Sequence, residues 1–169
     1  GVGFSTLMMA KAFLKSTFVG YDFHPASIAD ARKHAGTHPH KNVRFEVSTA
    51  KDIADRGFDL VTMYDCLHDM GDPRGCAAHL RKLVKPDGTW MIVEPAAKDR
   101  PEDNMNPAGR LYYNGSTMIC VPTSLAQETG LALGAQAGEA RISEVIRAGG
   151  FTKVRRAAET PLNMVLEAG

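Results

Sequence analysis

The chain is predicted to fold as α/β, on a doubly wound, mostly parallel sheet that ends in an antiparallel strand pair. Three observations predict it. Strand-like and helix-like segments alternate from the first residues to Val93, the signature of parallel strands joined by crossover helices. Phe58-Asp59-Leu60-Val61-Thr62-Met63 is nearly all apolar, as a strand covered on both faces is. The last two strand-like segments are joined through a short Glu159-Thr160-Pro161 turn, too short for a parallel crossover of about a dozen residues, so they pair antiparallel.

Each element has its own warrant. Gly1-Val2-Gly3 is a glycine turn running into a helical stripe of Phe4, Leu7, Met8 and Ala12. Such a turn normally follows a β-strand, and none precedes it here. The sequence therefore reads as part of a longer protein, cut inside a motif and lacking its first strand. Thr17 to Tyr21 is a short strand ending at Asp22. Pro25 opens a helix whose face is Ile28, Ala31 and Ala35, and Gly36 ends it. Val43 to Val47 alternates as a strand, a polar turn follows around Lys51 to Asp55, and Gly57 precedes the apolar strand Phe58 to Met63.

Asp72-Pro73 is a cap followed by proline, and the helix it starts buries Cys76, Ala77, Leu80, Leu83 and Val84. Lys85-Pro86-Asp87-Gly88 stops that helix, and Thr89 to Val93 is a strand ending at Glu94-Pro95. Residues Ala96 to Gly138 show no simple alternation. A helix near Glu139 to Ala148 and strands at Phe151 to Arg156 and Leu162 to Glu167 complete the chain. One domain over residues 1–169 is expected from the length.

Composition excludes several classes. Twenty Lys+Arg against nineteen Asp+Glu leave a net charge of +1, far from the basic balance of a general nucleic-acid binder. No direct nucleic-acid contact from this domain is expected. No apolar run approaches the roughly 20 residues of a membrane span, and no secretory leader is read, so no membrane partner is expected. Cys66, Cys76 and Cys120 form no CxxC pair and are odd in number, which points to a reducing, cytoplasmic setting.

Ligands of open α/β sheets sit beyond the carboxyl ends of the strands. The residues expected there are Gly1-Val2-Gly3, Asp22, Thr49-Ala50, Tyr64-Asp65 through His68-Asp69, and Glu94. A glycine turn lets a ligand approach the backbone. An acid at the end of the next strand, about twenty residues on, can accept from both hydroxyls of a ribose.

The order of Gly-x-Gly, Val19-Gly20-Tyr21-Asp22, Phe58-Asp59-Leu60-Val61, Leu67-His68-Asp69, Leu83 to Thr89 and Ile92-Val93-Glu94-Pro95 resembles the class I S-adenosylmethionine-dependent methyltransferases. Within that class the chain looks most like the catalytic domain of bacterial methyltransferases carrying a winged-helix domain. The resemblance implies a Rossmann-like sheet whose missing first strand is central, S-adenosyl-L-methionine as cofactor, a small-molecule acceptor, and a homodimer formed through an absent N-terminal domain. It implies Gly1, Gly3, Asp22, Phe23, Thr49, Ala50, Tyr64 and Asp65 as cofactor-binding residues. Thr49 departs from the usual acid. His68 is implied as the general base for a substrate hydroxyl and Glu94 as the acid orienting it, a division of labour that suits imidazole. Met70 departs from the aromatic residue usual after His-Asp.

Met105, Tyr112, Tyr113 and Met118 are read as an apolar substrate cover within the 96–138 insertion. His34, His38 and His40 are read as a helix end and solvated turn rather than a zinc site, and no metal is assigned. Two rival readings remain at this point. One is a cofactor-sensing module of a transcriptional regulator without turnover. The other is an NAD-dependent oxidoreductase, resting on the glycine turn and Asp22 alone.

Overall fold

A computed structural model describes residues 1–169 except His38 and His40. The chain divides into two compact units, residues 1–54 and 55–169. Among the described residues no helix is long and apolar enough to cross a membrane.

The first unit is α1 (Phe4–Ala12), β1 (Phe18–Asp22), α2 (Pro25–Gly36) and β2 (Val43–Val47). β1 and β2 pair in parallel, with Phe18 opposite Val43 and Asp22 opposite Val47. Leu7, Ile28, Ala31 and Phe45 form the core of this unit, and Ala35 and Val43 pack on it. Gly3 has φ +84 and sits where a Cβ would meet the Phe45 ring at 2.6 Å, so both conformation and space require glycine there. α2 begins as the sequence implies: Pro25 takes the first turn, and His24 caps it by accepting from Ser27 N. Asn42 Nδ2 donates to the carbonyls of Ala10, Phe13 and Ser16, tying down the chain after α1.

The second unit holds β3 (Phe58–Tyr64), α3 (Pro73–Leu83), β4 (Val84–Pro95), α4 (Pro107–Gly115), α5 (Val121–Leu125), α6 (Gly138–Ala148), β5 (Val154–Glu159) and β6 (Asn163–Ala168). Leu67–Asp69 and Pro101–Asn104 are 3₁₀ turns, and Ser116–Cys120 is a π-helical turn between α4 and α5. The sheet order is β3-β4-β6-β5, with β3 and β4 parallel and the last two strands antiparallel. The terminal pair thus runs as its short connection requires. Among the described residues β1 pairs only with β2, and β3 only with β4.

Cys76, Ala77, Leu80 and Leu83 of the α3 stripe are buried, Val84 falls instead in the strand that follows, and Asp72 caps the helix by accepting from Gly75 N at 2.8 Å. Trp90 and Phe151 are fully buried with ring centroids 5.1 Å apart, and the Arg81 guanidinium lies 5.5 Å from the Phe151 centroid. Ile92, Ile142, Ile146, Met164 and Leu166 are also fully buried.

Two strand starts and one whole region depart furthest from the sequence reading. β4 begins at Val84 rather than Thr89, because Val84 pairs with Phe58 before Leu60 pairs with Thr89. Lys85-Pro86-Asp87-Gly88 is therefore an outward bulge in a strand rather than a turn before one. β5 begins at Val154 rather than Phe151, since the Phe151 side chain goes to the core and the Thr152 and Lys153 amides donate to Gly169 O. The region after β4 is largely helical, where no periodicity was read. Asn106 caps α4 by accepting from Gly109 N, and Pro107 occupies its first turn.

Candidate active site

In the second unit, β3 ends at Tyr64 and the chain turns at once. Asp65 has φ 45, a left-handed conformation costing a non-glycine residue of order 1–3 kcal/mol. Its amide donates to Val93 O and its Oδ1 accepts from Asn163 Nδ2 at 2.9 Å, so β4 and β6 hold it there. Burial pushes the Asp65 carboxyl above its ordinary range, against the opposing pull of His68 and Asn163.

The 3₁₀ turn that follows brings His68 over the end of β4. Glu94, 0% exposed, uses both oxygens: Oε1 accepts from Leu67 N at 2.9 Å and Oε2 pairs with His68 Nδ1. His68 is itself only 4% exposed. Burial alone would lower the imidazole pKa. The hydrogen bond and charge of Glu94, with the charges of Asp69 and Asp65, outweigh burial and place it above 6.5. Burial pushes the Glu94 carboxyl upward, and its hydrogen bonds to His68 and Leu67 offset that only in part.

The other ring nitrogen, Nε2, lies 3.3 Å from Asp69 Oδ1, and Cys120 Sγ joins them in a cluster spanning 4.8 Å. Burial, then Asp69, pushes the Cys120 thiol up to about 11. Cys120 carried no signal in the sequence. It arrives on the π-helical turn, a distortion common at functional sites.

The segment after α4 grips the His68 loop along its length. Ser124 Oγ donates to Met70 O, Gln127 Nε2 donates to Asp69 O, and Gln127 Oε1 accepts from Gly71 N. The amides of Leu131 and Gly134 donate to the carbonyls of Gly71 and His68. A Cβ on Gly71 would meet Gln127 Cβ at 2.5 Å and Glu128 O at 2.6 Å. Gly71→Ala is expected to lower stability by about 1–3 kcal/mol through overpacking, read by urea unfolding.

The residues read as a substrate cover separate. Met105 and Tyr113 line one open pocket of about 260 Å³. Tyr112 lines another of about 310 Å³, and its hydroxyl donates to Leu162 O while its ring packs with Ala97, Cys120 and Ala135. Met118 projects from the π-helical turn into solvent.

In the first unit, Gly3, Asp22, Phe23, Thr49 and Ala50 lie at the turn before α1 and beyond the carboxyl ends of β1 and β2. Asp22 Oδ1 accepts from His24 N at 2.8 Å, and Oδ2 pairs with Gly1 N. The Phe23 ring is exposed. Thr49 Oγ1 donates to Asp52 Oδ2 at 2.5 Å. His34 Nδ1 bonds Val2 O and its ring stacks on Phe4, while His38 and His40 lie outside the described residues.

A family model described as a methyltransferase domain matches residues 1–146. The chain belongs to this methyltransferase domain family. Membership in a methyltransferase family stands against the nicotinamide reading. The chain is 32% identical over 92 residues to the ubiquinone biosynthesis O-methyltransferase of Neisseria meningitidis, covering 52% of this chain and 39% of that protein. It is 32% identical over 107 residues to the polyketide synthase-nonribosomal peptide synthetase ACE1 of Pyricularia oryzae, covering 59% of this chain and 3% of that one. The structure of an O-methyltransferase family protein from Burkholderia thailandensis matches with a TM-score of 0.76 at 22% identity, over 99% of this chain and 48% of that one. The chain thus spans less than half the length of each of these relatives.

The methyltransferase domain has residues that fit its cofactor. β1 ends in the Asp22 carboxylate, whose oxygens engage His24 N and Gly1 N, with the exposed Phe23 ring next in sequence and a glycine turn whose Gly3 admits no side chain. Asp22 and the glycine turn would hold the cofactor, Asp22 through the ribose hydroxyls. Asp22→Ala is expected to weaken S-adenosylhomocysteine binding at least tenfold, since each charge-assisted bond is worth about 1.5–3 kcal/mol. Calorimetry giving an unchanged affinity would remove Asp22 from the site.

Proposed function

We propose that the protein transfers a methyl group to a hydroxyl oxygen of a small molecule, with His68 as general base. The observation that carries this is the buried pairing of His68 Nδ1 with Glu94. A neutral imidazole has one donor and one acceptor nitrogen. Glu94, as a carboxylate, fixes the proton on Nδ1 and leaves the lone pair on Nε2. S-adenosyl-L-methionine, when bound, would supply a sulfonium methyl group, toward which a hydroxyl is a poor nucleophile until its proton leaves.

The chain's own residues do the rest. Nε2 takes the proton of the acceptor hydroxyl as its oxygen becomes nucleophilic. Glu94 stabilises the imidazolium that results. The hydrogen bonds from Ser124, Gln127, Leu131 and Gly134 keep the His68 loop in place, which preserves the alignment that proximity catalysis depends on.

The test is incubation of the protein with S-adenosyl-L-methionine and a panel of phenols, alcohols, amines and activated carbon acids. Products gaining one methyl group on oxygen support the reading. Methylation confined to nitrogen or carbon refutes it.

A further inference from the structure

We propose that His68 Nε2, Asp69 Oδ1 and Cys120 Sγ form a binding site for a thiophilic divalent cation of the zinc class. The three atoms come from two separate elements, the 3₁₀ turn after β3 and the π-helical turn after α4. They lie within 4.8 Å of one another. Bonds of about 2.0–2.3 Å in a tetrahedron set ligand atoms roughly 3.3–3.8 Å apart, so small side-chain rotations close the site.

The surroundings favour a cation. With the Nδ1 proton held by Glu94, Nε2 presents a lone pair toward Asp69 Oδ1 at 3.3 Å. Asp69 Oδ1 is buried and makes no hydrogen bond. Two acceptors therefore face each other beside the Cys120 thiol, whose proton a bound cation would displace. A cation there satisfies all three. Glu94 is already placed as the carboxylate that metal-bound histidines use to fix the far nitrogen. Imidazole, carboxylate and thiolate together are a borderline-soft set, suited to zinc and cobalt and poorly suited to magnesium or calcium. Three protein ligands leave a fourth position open.

Occupancy would take the lone pair that the base needs, so the cation would inhibit methyl transfer. That consequence alone rests on the general-base reading.

The experiment is a titration of chelator-treated protein with cobalt(II), followed by zinc(II). The expected result is a thiolate-to-cobalt charge-transfer absorption that zinc abolishes. Cys120→Ser should lose the band while keeping metal-free methyl-transfer activity. Asp69→Asn should weaken cobalt binding at least about tenfold, since even partners behind the ligands cost about 10–100-fold. Absence of the band, or its persistence in Cys120→Ser, overturns the site. Should Cys120→Ser fail to fold, an unchanged cobalt affinity in Asp69→Asn overturns it instead. A band without inhibition of methyl transfer upholds the site and refutes His68 as the base.

Discussion

Replacing His68 with alanine is expected to cut methyl transfer by about 10²–10⁴-fold, the usual contribution of a positioned general base. The affinity for S-adenosylhomocysteine should stay within about twofold, because a proton acceptor acts on the transition state rather than on binding. The pH profile supplies an independent check. The imidazole pKa is held above 6.5 because Glu94, Asp69 and Asp65 together outweigh burial. The base works only when neutral. Activity should therefore fall as pH drops through a midpoint above 6.5, and this limb should vanish from the residual activity of His68→Ala. A profile with its midpoint below 6.5 would mean that burial dominates. An alanine variant of full activity would leave proximity alone to carry the reaction.

How much of this was legible in the sequence depends on whether the deciding contact is local. α2 and α3 were readable because each begins at proline and carries a buried stripe. α4 had the same kind of signal, Asn106 before Pro107, but glycine, asparagine and proline around it masked the helix. The start of β4 was not readable, since Val84 becomes a strand residue only by pairing with Phe58. The same division runs through the site. His68 and Glu94 were found through a family resemblance, and only the fold shows both Glu94 oxygens committed. Cys120 was invisible. It reaches His68 through a π-helical turn and a loop clamped by Ser124 and Gln127, neither of which leaves a periodic trace.

Glu94 should separate positioning from folding through two substitutions. Glu94→Ala leaves the Leu67 amide and His68 Nδ1 buried without their partner. Breaking a buried pair in this way costs about 3–5 kcal/mol, so the expected result is a large fall in the urea midpoint. Glu94→Gln keeps the shape and is expected to fold. Leu67 N still needs an acceptor, so the amide oxygen must face it, and the amide nitrogen then faces His68 Nδ1. An NH₂ donates, so Nδ1 must become the acceptor and the ring proton must move to Nε2. The base then presents a proton where it needs a lone pair. Turnover in Glu94→Gln should fall by an amount comparable to His68→Ala, about 10²–10⁴-fold, with stability much closer to the native protein than that of Glu94→Ala. Nitrogen chemical shifts of the labelled His68 ring would report the change directly, with protonation moving from Nδ1 to Nε2. A purely structural Glu94 would predict the opposite pattern, in which Glu94→Gln retains both the Nδ1 tautomer and the activity.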